Sequence, residues 1–92
     1  IRSFANAETY RFYTKGRSKR IGPVIHKRAV MRLTQLDAAT NIGDLKFPPS
    51  NQLEELKRDR KGQWRIRINE QWRVCFRFVE GDAFDVEIVD YH

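Results

Sequence analysis

The C-terminal part of this chain alternates between apolar and polar residues, and that alternation limits the possible folds more than any other feature. Trp64, Ile66 and Ile68 alternate with Arg65, Arg67 and Asn69. Trp72, Val74, Phe76 and Phe78 alternate with Arg73, Cys75, Arg77 and Val79. Phe84, Val86 and Ile88 alternate with Asp85, Glu87 and Val89. A period of two predicts strands with one buried face. Asn69–Gln71 and a turn around Glu80-Gly81-Asp82 join three such strands as an antiparallel meander. A slip of one residue would turn every apolar side chain to water, so the pattern also predicts register. A three-residue first loop places Ile68 opposite Trp72, Ile66 opposite Val74, Trp64 opposite Phe76 and Arg67 opposite Arg73. In the second hairpin Arg77 is expected opposite Asp85 as an ion pair, and Arg73 opposite Val89. One face is then a wall of Trp, Ile, Val and Phe. The other presents Arg65, Arg67, Arg73 and, by parity, Tyr91. Like charges directly opposite are destabilising, so Arg67 and Arg73 imply a nearby acid or an anionic ligand.

The N-terminal half reads differently. Ile1–Phe4 is expected as a short edge strand. Asn6 can cap a helix over about Ala7–Lys15, with Tyr10, Phe12 and Tyr13 supplying apolar bulk. Gly16–Gly22 is a basic loop, and Gly22-Pro23 opens a second helix with proline in its first turn. Ile25, Ala29, Leu33 and Leu36 recur at helical spacing, a stripe that runs through Ala39. His26, Lys27, Arg28 and Arg32 are expected mostly off that stripe, His26 on a solvated face. Gly43 and Pro48-Pro49 break the chain before a short segment, Leu53–Leu56. There is no repeat or interdomain linker. The expected architecture is α+β: two N-terminal helices packed on a small antiparallel-rich sheet, one domain over residues 1–92.

Charge narrows the function classes. The formal net charge is +6 and the pI about 9.9, which favours a polyanionic partner, nucleic acid first. From Arg11 to Arg32 there are eight lysines and arginines and no acid. From Lys57 to Arg73 there are seven against Asp59 and Glu70, and from Glu80 onward five acids and no lysine or arginine. The single cysteine, Cys75, allows no internal disulfide, gives no metal site and fits a reducing cytoplasm. No apolar run reaches the roughly 18 residues of a membrane span, and no signal-peptide pattern opens the chain. Ile1 is not a methionine, so at least one preceding residue is expected.

The chain leaves its last strand on Asp90-Tyr91-His92, a carboxylate, a phenol and an imidazole. Imidazole changes charge near neutral pH. Proton-transfer groups next to arginines point to phosphate chemistry.

Several stretches together carry a family resemblance. Leu56-Lys57-Arg58-Asp59-Arg60-Lys61-Gly62-Gln63-Trp64-Arg65-Ile66-Arg67 continues into Asn69-Glu70-Gln71-Trp72-Arg73-Val74-Cys75-Phe76, then Gly81-Asp82-Ala83 and Asp90-Tyr91-His92. With Ile1-Arg2-Ser3-Phe4 and Leu36-Asp37-Ala38-Ala39-Thr40, these resemble the HigB-type branch of the RelE toxin superfamily. The resemblance spans essentially the whole chain and is most specific at the Trp-Arg strand motif and the terminal Asp-Tyr-His. It implies a bacterial toxin that cleaves mRNA in the ribosomal A site without metal or other cofactor, the RNA 2′-hydroxyl attacking the adjacent phosphate and the 5′ oxygen leaving. It also implies a cognate helix-turn-helix antitoxin, and contact with operator DNA only through the toxin–antitoxin complex.

By position, Asp90, Tyr91 and His92 match the family's terminal catalytic cluster, and Lys57 and Arg73 its basic positions. Fixed cations stabilise a developing phosphorane charge, a role open to Arg73 with Lys57 or Arg60. Arg58, Arg60, Arg65 and Arg67 are candidate RNA contacts. Lys19, Arg20, Lys27 and Arg28 are candidate contacts to small-subunit rRNA. Two departures stand out: Glu54 replaces a frequent histidine, and Arg58 a frequent glycine. Glu54 either takes over as base or weakens activity. Two function classes therefore stay open: a ribosome-dependent endoribonuclease, and a weak or inactive RNA- or protein-binding regulatory module on the same fold.

Overall fold

The computed structural model describes residues 1–91; His92 lies outside the described residues. Helix α1 spans Ala7–Lys15 and helix α2 Pro23–Ala38. Four strands follow: β1 (Glu54–Glu55), β2 (Trp64–Arg67), β3 (Trp72–Val79) and β4 (Asp82–Asp90). They form one antiparallel sheet in the order β1-β2-β3-β4. The expected α+β architecture is therefore present, with one strand more than the alternation predicted. β1 lies in the Leu53–Leu56 segment, and its two exposed acids carry no alternation to read.

Local chemistry starts and stops the helices. Asn6 Oδ1 accepts from Thr9 N–H at 2.8 Å, and Gly16 ends α1 in the left-handed region at φ 75°. Pro23 opens α2, whose fixed φ suits a first turn, and Ala39 rather than a further turn closes it. The stripe Ile25, Ala29, Leu33 and Leu36 is buried as expected, against Ile66, Ile68, Val74, Phe76, Val86 and Ile88 from the sheet. Trp64 and Trp72 are only partly buried and pack against this core.

Two residues on the helices depart from the expectation. Arg32 is buried at 6% exposure, where the pattern put it off the apolar stripe. Its guanidinium reaches sideways to backbone and hydroxyl acceptors, so burial does not leave it without partners. His26 is half-buried: Nε2 sits 2.6 Å from the Gly16 carbonyl and the ring packs edge-on against Phe12 at 5.1 Å. It clasps the start of α2 to the end of α1.

The exposed edge of β4 is closed by the chain start. Arg2 N–H donates to Ala83, Val86 N–H to Ser3 and Ala5 N–H to Val86, in a parallel run marked by the pair Phe4–Val86. Ile88 N–H then donates to the buried Thr9 hydroxyl at 3.1 Å, fixing α1 to the same edge. An edge so covered is not open to another chain's strand.

The first hairpin has the expected register throughout. Trp64 pairs with Phe76, Ile66 with Val74 and Arg67 with Arg73, and Ile68 N–H donates to Trp72. Asn69 Oδ1 accepts from the N–H groups of Gln71 and Trp72 and shapes the loop. The second hairpin differs. Its turn is two residues, Glu80 at φ 49° and Gly81 at φ 84°, as a type I′ turn requires. Val79 therefore faces Asp82, and Arg77 faces Phe84 instead of Asp85. The register shifts between Cys75 and Arg77, where Asp85 takes φ 53° as the extra residue of a bulge. Beyond it the expected register returns, with Val74 opposite Ile88 and Arg73 opposite Val89. Phe84 is thereby turned off the apolar wall and Ala83 buried in its place. The Arg77–Asp85 ion pair survives at 3.3 Å as a diagonal contact.

Gly81 is held for two reasons: its positive φ, and a Cβ there would lie 2.8 Å from the Thr40 carbonyl oxygen. Gly81→Ala should lower stability by roughly 1–3 kcal/mol, read as a reduced urea midpoint at unchanged slope.

Candidate active site

The face of the sheet away from the helices is arginine-rich. Strand parity puts Arg65 and Arg67 of β2, Arg73 and Cys75 of β3, and Glu87 of β4 on it, and Tyr91 follows at the open end of β4. The Tyr91 ring is the centre of the arrangement. The Arg65 guanidinium lies 5.0 Å from its centroid and that of Arg73 5.5 Å. Both are within reach of the negative face of an aromatic ring. The Tyr91 hydroxyl meets Cys75 Sγ at 3.7 Å, and its backbone N–H donates to Gln71 at 2.6 Å. The phenol is thus fixed by two cations, a thiol and the backbone, yet stays 36% exposed.

Each partner is held in turn. Glu54 of β1 faces Arg65 of β2, and their side chains pair at 3.0 Å. Arg73 bends back to donate to the carbonyls of Asn69 and, at 3.1 Å, Trp72. Burial, then the charges of Arg65 and Arg67, lower the pKa of Arg73 from the usual arginine value. Tyr91 raises that of Arg65, against burial and with the help of Glu54. Both guanidinium groups remain charged at neutral pH. Burial raises the Cys75 thiol.

The predicted residues are not all placed alike. Glu54, Arg65, Arg67, Arg73 and Tyr91 are brought together. Lys57 and Arg58 are exposed on the loop before β2, at the same margin as Glu54. Arg60 folds back from that loop to pair with Glu87 at 3.4 Å and with Gln63 at 3.0 Å, so part of its donor capacity is already used. Asp90 is not in the cluster. It pairs across the sheet with Trp72 and accepts from Gln71 Nε2 at 3.2 Å, on the opposite face from Tyr91. Asp90 and Tyr91 point opposite ways, as consecutive strand residues do, and the role expected of Asp90 beside His92 falls outside the described residues. His92, the third member, lies outside the described residues.

The cations of the loop before α2 and of its first turns collect near the same end of the molecule. Arg20 stacks over Trp72 at 5.7 Å, and Arg28 Nη1 donates to the Ile68 carbonyl at 3.4 Å. Lys19 and Lys27 are exposed beside them in sequence. The sequence reading passed over two residues. Cys75 was weighed only for redox and metal roles, although its parity with Arg73 already put it on the Tyr91 face. Arg32 stands four residues after Arg28, one helical turn along, which signals a shared face.

The two helices against a four-stranded antiparallel sheet are the architecture of the RelE-like toxins. The chain matches the family described as "RelE-like toxin of type II toxin-antitoxin system HigB" over residues 2–92 and belongs to that family. It is 35% identical over 92 residues to "Endoribonuclease HigB" of Proteus vulgaris, covering 100% of this chain and 99% of that protein. It is 39% identical over 75 residues to "Toxin HigB-1" of Vibrio cholerae serotype O1, covering 80% and 79%. The structure of the "YoeB-YefM complex from Staphylococcus aureus" shares the fold, with a TM-score of 0.64 at 15% identity over 100% of this chain and 97% of that one.

The buried thiol makes a pH prediction. Burial favours the neutral thiol, so the folded pKa of Cys75 lies above the unfolded one. Its contribution to stability is complete below the unfolded value of about 8.5 and is lost as pH rises through the folded value. Denaturant midpoints should fall as pH rises through that range, and fall less in Cys75→Ala. An equal loss in both proteins would assign the alkaline sensitivity to another group.

Proposed function

We propose that this protein is the toxin of a type II toxin–antitoxin pair and acts as a metal-independent endoribonuclease on mRNA in the ribosomal A site. The observation that carries this reading is the exposed Tyr91 phenol held between Arg65 and Arg73, in a chain that belongs to the HigB-like toxin family. The reaction moves one proton at each end. The RNA 2′-oxygen attacks the adjacent phosphorus and loses its proton to a base, while the P–O5′ bond breaks and the 5′ oxygen takes a proton from an acid. Arg73 and Arg65 meet the charge that builds on the phosphorane oxygens, where fixed cations act most strongly. Tyr91 or His92 gives the leaving-group proton. Glu54 is the candidate base, aimed by its ion pair with Arg65. Asp90, which accepts from Gln71, orients or tunes the chain end that carries Tyr91 and His92.

Lys57, Arg58, Arg60 and Arg67 would hold RNA phosphates at the margins of this centre. Lys19, Arg20, Lys27 and Arg28 would contact small-subunit rRNA. The neutralising partner is a cognate helix-turn-helix antitoxin, through which alone the pair meets operator DNA, and the compartment is the cytoplasm. One observation favours the second reading, a catalytically weak RNA- or protein-binding regulatory module. The Glu54–Arg65 pair ties up the base that replaces the family's frequent histidine.

Single-turnover cleavage of mRNA on programmed ribosomes separates the two. The parental protein should cleave. Arg73→Ala should slow cleavage by about 10²–10³ with ribosome binding nearly unchanged. Removing Tyr91 and His92 should abolish cleavage while circular dichroism shows an intact fold. Glu54→Gln should lower the rate if Glu54 is the base. A truncated protein that cleaves at the parental rate would defeat the proposed chemistry, and a parental protein that binds ribosomes without cleaving would establish the regulatory reading.

The cation rim makes a separate prediction. Ribosome affinity should fall with salt, by a log–log slope of roughly −0.7 to −0.9 per phosphate neutralised. Replacing Lys19, Arg20, Lys27 and Arg28 together by glutamine should flatten that slope. An unchanged slope would place the rRNA contacts elsewhere.

A further inference from the structure

A second arginine cluster stands apart from Tyr91. β1 pairs with β2 only at Trp64 and Arg65, so the Arg67 end of β2 is an open edge. Against that edge, α2 and the turn Pro49–Asn51 enclose a cavity of about 280 Å³ whose lining includes Arg28, Arg32, Arg67 and Ser50 beside the apolar Met31, Pro48 and Ile68. Arg32 Nε donates to the Arg67 carbonyl at 2.8 Å and Nη2 to Ser50 Oγ at 3.3 Å. These acceptors are neutral. Among the described residues no Asp or Glu forms an ion pair with Arg28, Arg32 or Arg67.

That arrangement is energetically incomplete. Arg32 is 94% buried by its 6% exposure, and buried charges are ordinarily paired. Burial, then the charge of Arg28, lowers its pKa. The Arg67 Nε–H is buried with no hydrogen-bond partner. A buried unpaired donor calls for an acceptor, and the guanidinium groups of Arg28 and Arg32, with Arg67 beside them at one cavity, call for an anion. Guanidinium forks match the oxygens of a phosphate group. The place of the cavity chooses among anions, because Arg67 lies directly opposite Arg73 across β2 and β3. Arg67 thus ties the cavity to the strand pair that carries the face where the reacting phosphate is proposed to sit.

We propose that Arg28, Arg32, Arg67 and Ser50 form a second phosphate site, which holds an RNA backbone phosphate flanking the one cleaved at Arg65, Arg73 and Tyr91. It rests on the RNA-cleaving reading above. The site fixes the position of the strand along the sheet and takes no part in proton transfer.

The test uses the intact free protein and ¹⁵N NMR of the arginine Nε–H signals. The probes are inorganic phosphate and an all-2′-deoxy trinucleotide, which lacks the attacking hydroxyl. Both should move the Arg32 and Arg67 signals saturably, and Arg28→Gln, a change at an exposed side chain, should weaken the trinucleotide by about tenfold, one lost charged contact. Signals that stay fixed through tens of millimolar phosphate would overturn the site, as would equal trinucleotide affinity in Arg28→Gln. A glutamate-rich peptide that moves these signals when the trinucleotide does not would make the cavity a protein-binding pocket and overturn the proposal as well. A parental protein that fails to cleave on ribosomes yet shows the trinucleotide shifts would sink the nuclease reading and leave the phosphate site standing.

Discussion

The pairing of β3 with both neighbours is the constraint on which the rest of the molecule depends. Arg73 and Cys75 lie on β3, Arg65 and Arg67 arrive from β2, and Tyr91 from the end of β4. Displacing either neighbour by one residue would reverse its side chains between core and solvent. The apolar wall enforces the pairing from the other side. Ile66, Val74 and Ile88 are buried only when Arg65, Arg67, Arg73 and Tyr91 all point outward together. Core packing and site assembly are therefore one event, and the site sits on strands rather than on a loop.

The outward face carries an electrostatic load that the fold does little to relieve. Arg67 and Arg73 face one another directly, and like charges in that position oppose pairing. The available relief is partial. Glu54 neutralises Arg65, and Glu87 is shared with Arg60. Tyr91 offers only the quadrupole of its ring, worth about 0.5–1 kcal/mol at an exposed contact. Arg73, lowered by burial and by its two arginine neighbours, donates only to backbone carbonyls. A surface built for stability alone would not place these charges together. One that receives a polyanion gains from every repulsion removed on binding.

How much of this was legible in the sequence differs by element. Asn6, Gly16 and Pro23 are local signals, and they set the helix ends where the pattern put them. The first hairpin was legible because both strands alternate without interruption and the loop length follows from parity. The second was not, because the deciding features are backbone conformations without a sequence signature. Glu80 and Asp85 both take positive φ, a region that neither residue type announces in the way glycine does. One residue lost at the turn and one gained at the bulge cancel. The pairings nearest Tyr91 were therefore right, although Arg77 and Phe84 were misplaced. Asp90 and Tyr91 point to opposite faces as strand parity requires, and the role of Asp90 beside His92 falls outside the described residues.

Arg32 shows what no pattern along one helix can reveal. Its burial is imposed from outside α2, by the open edge of β2 and the turn carrying Ser50, two segments far from it in sequence. Had β1 been two residues longer, its ladder would reach past Arg65 and claim the Arg67 carbonyl that Arg32 now holds. The short β1 and the buried arginine are thus two sides of one arrangement. It has a consequence for the arginine face, since on the side away from β3 the backbone at Arg67 is anchored by a charged donor from the helix layer, not by β1. An anion held in the Arg28–Arg32–Arg67 cavity would therefore meet a strand end that the helix layer has already fixed.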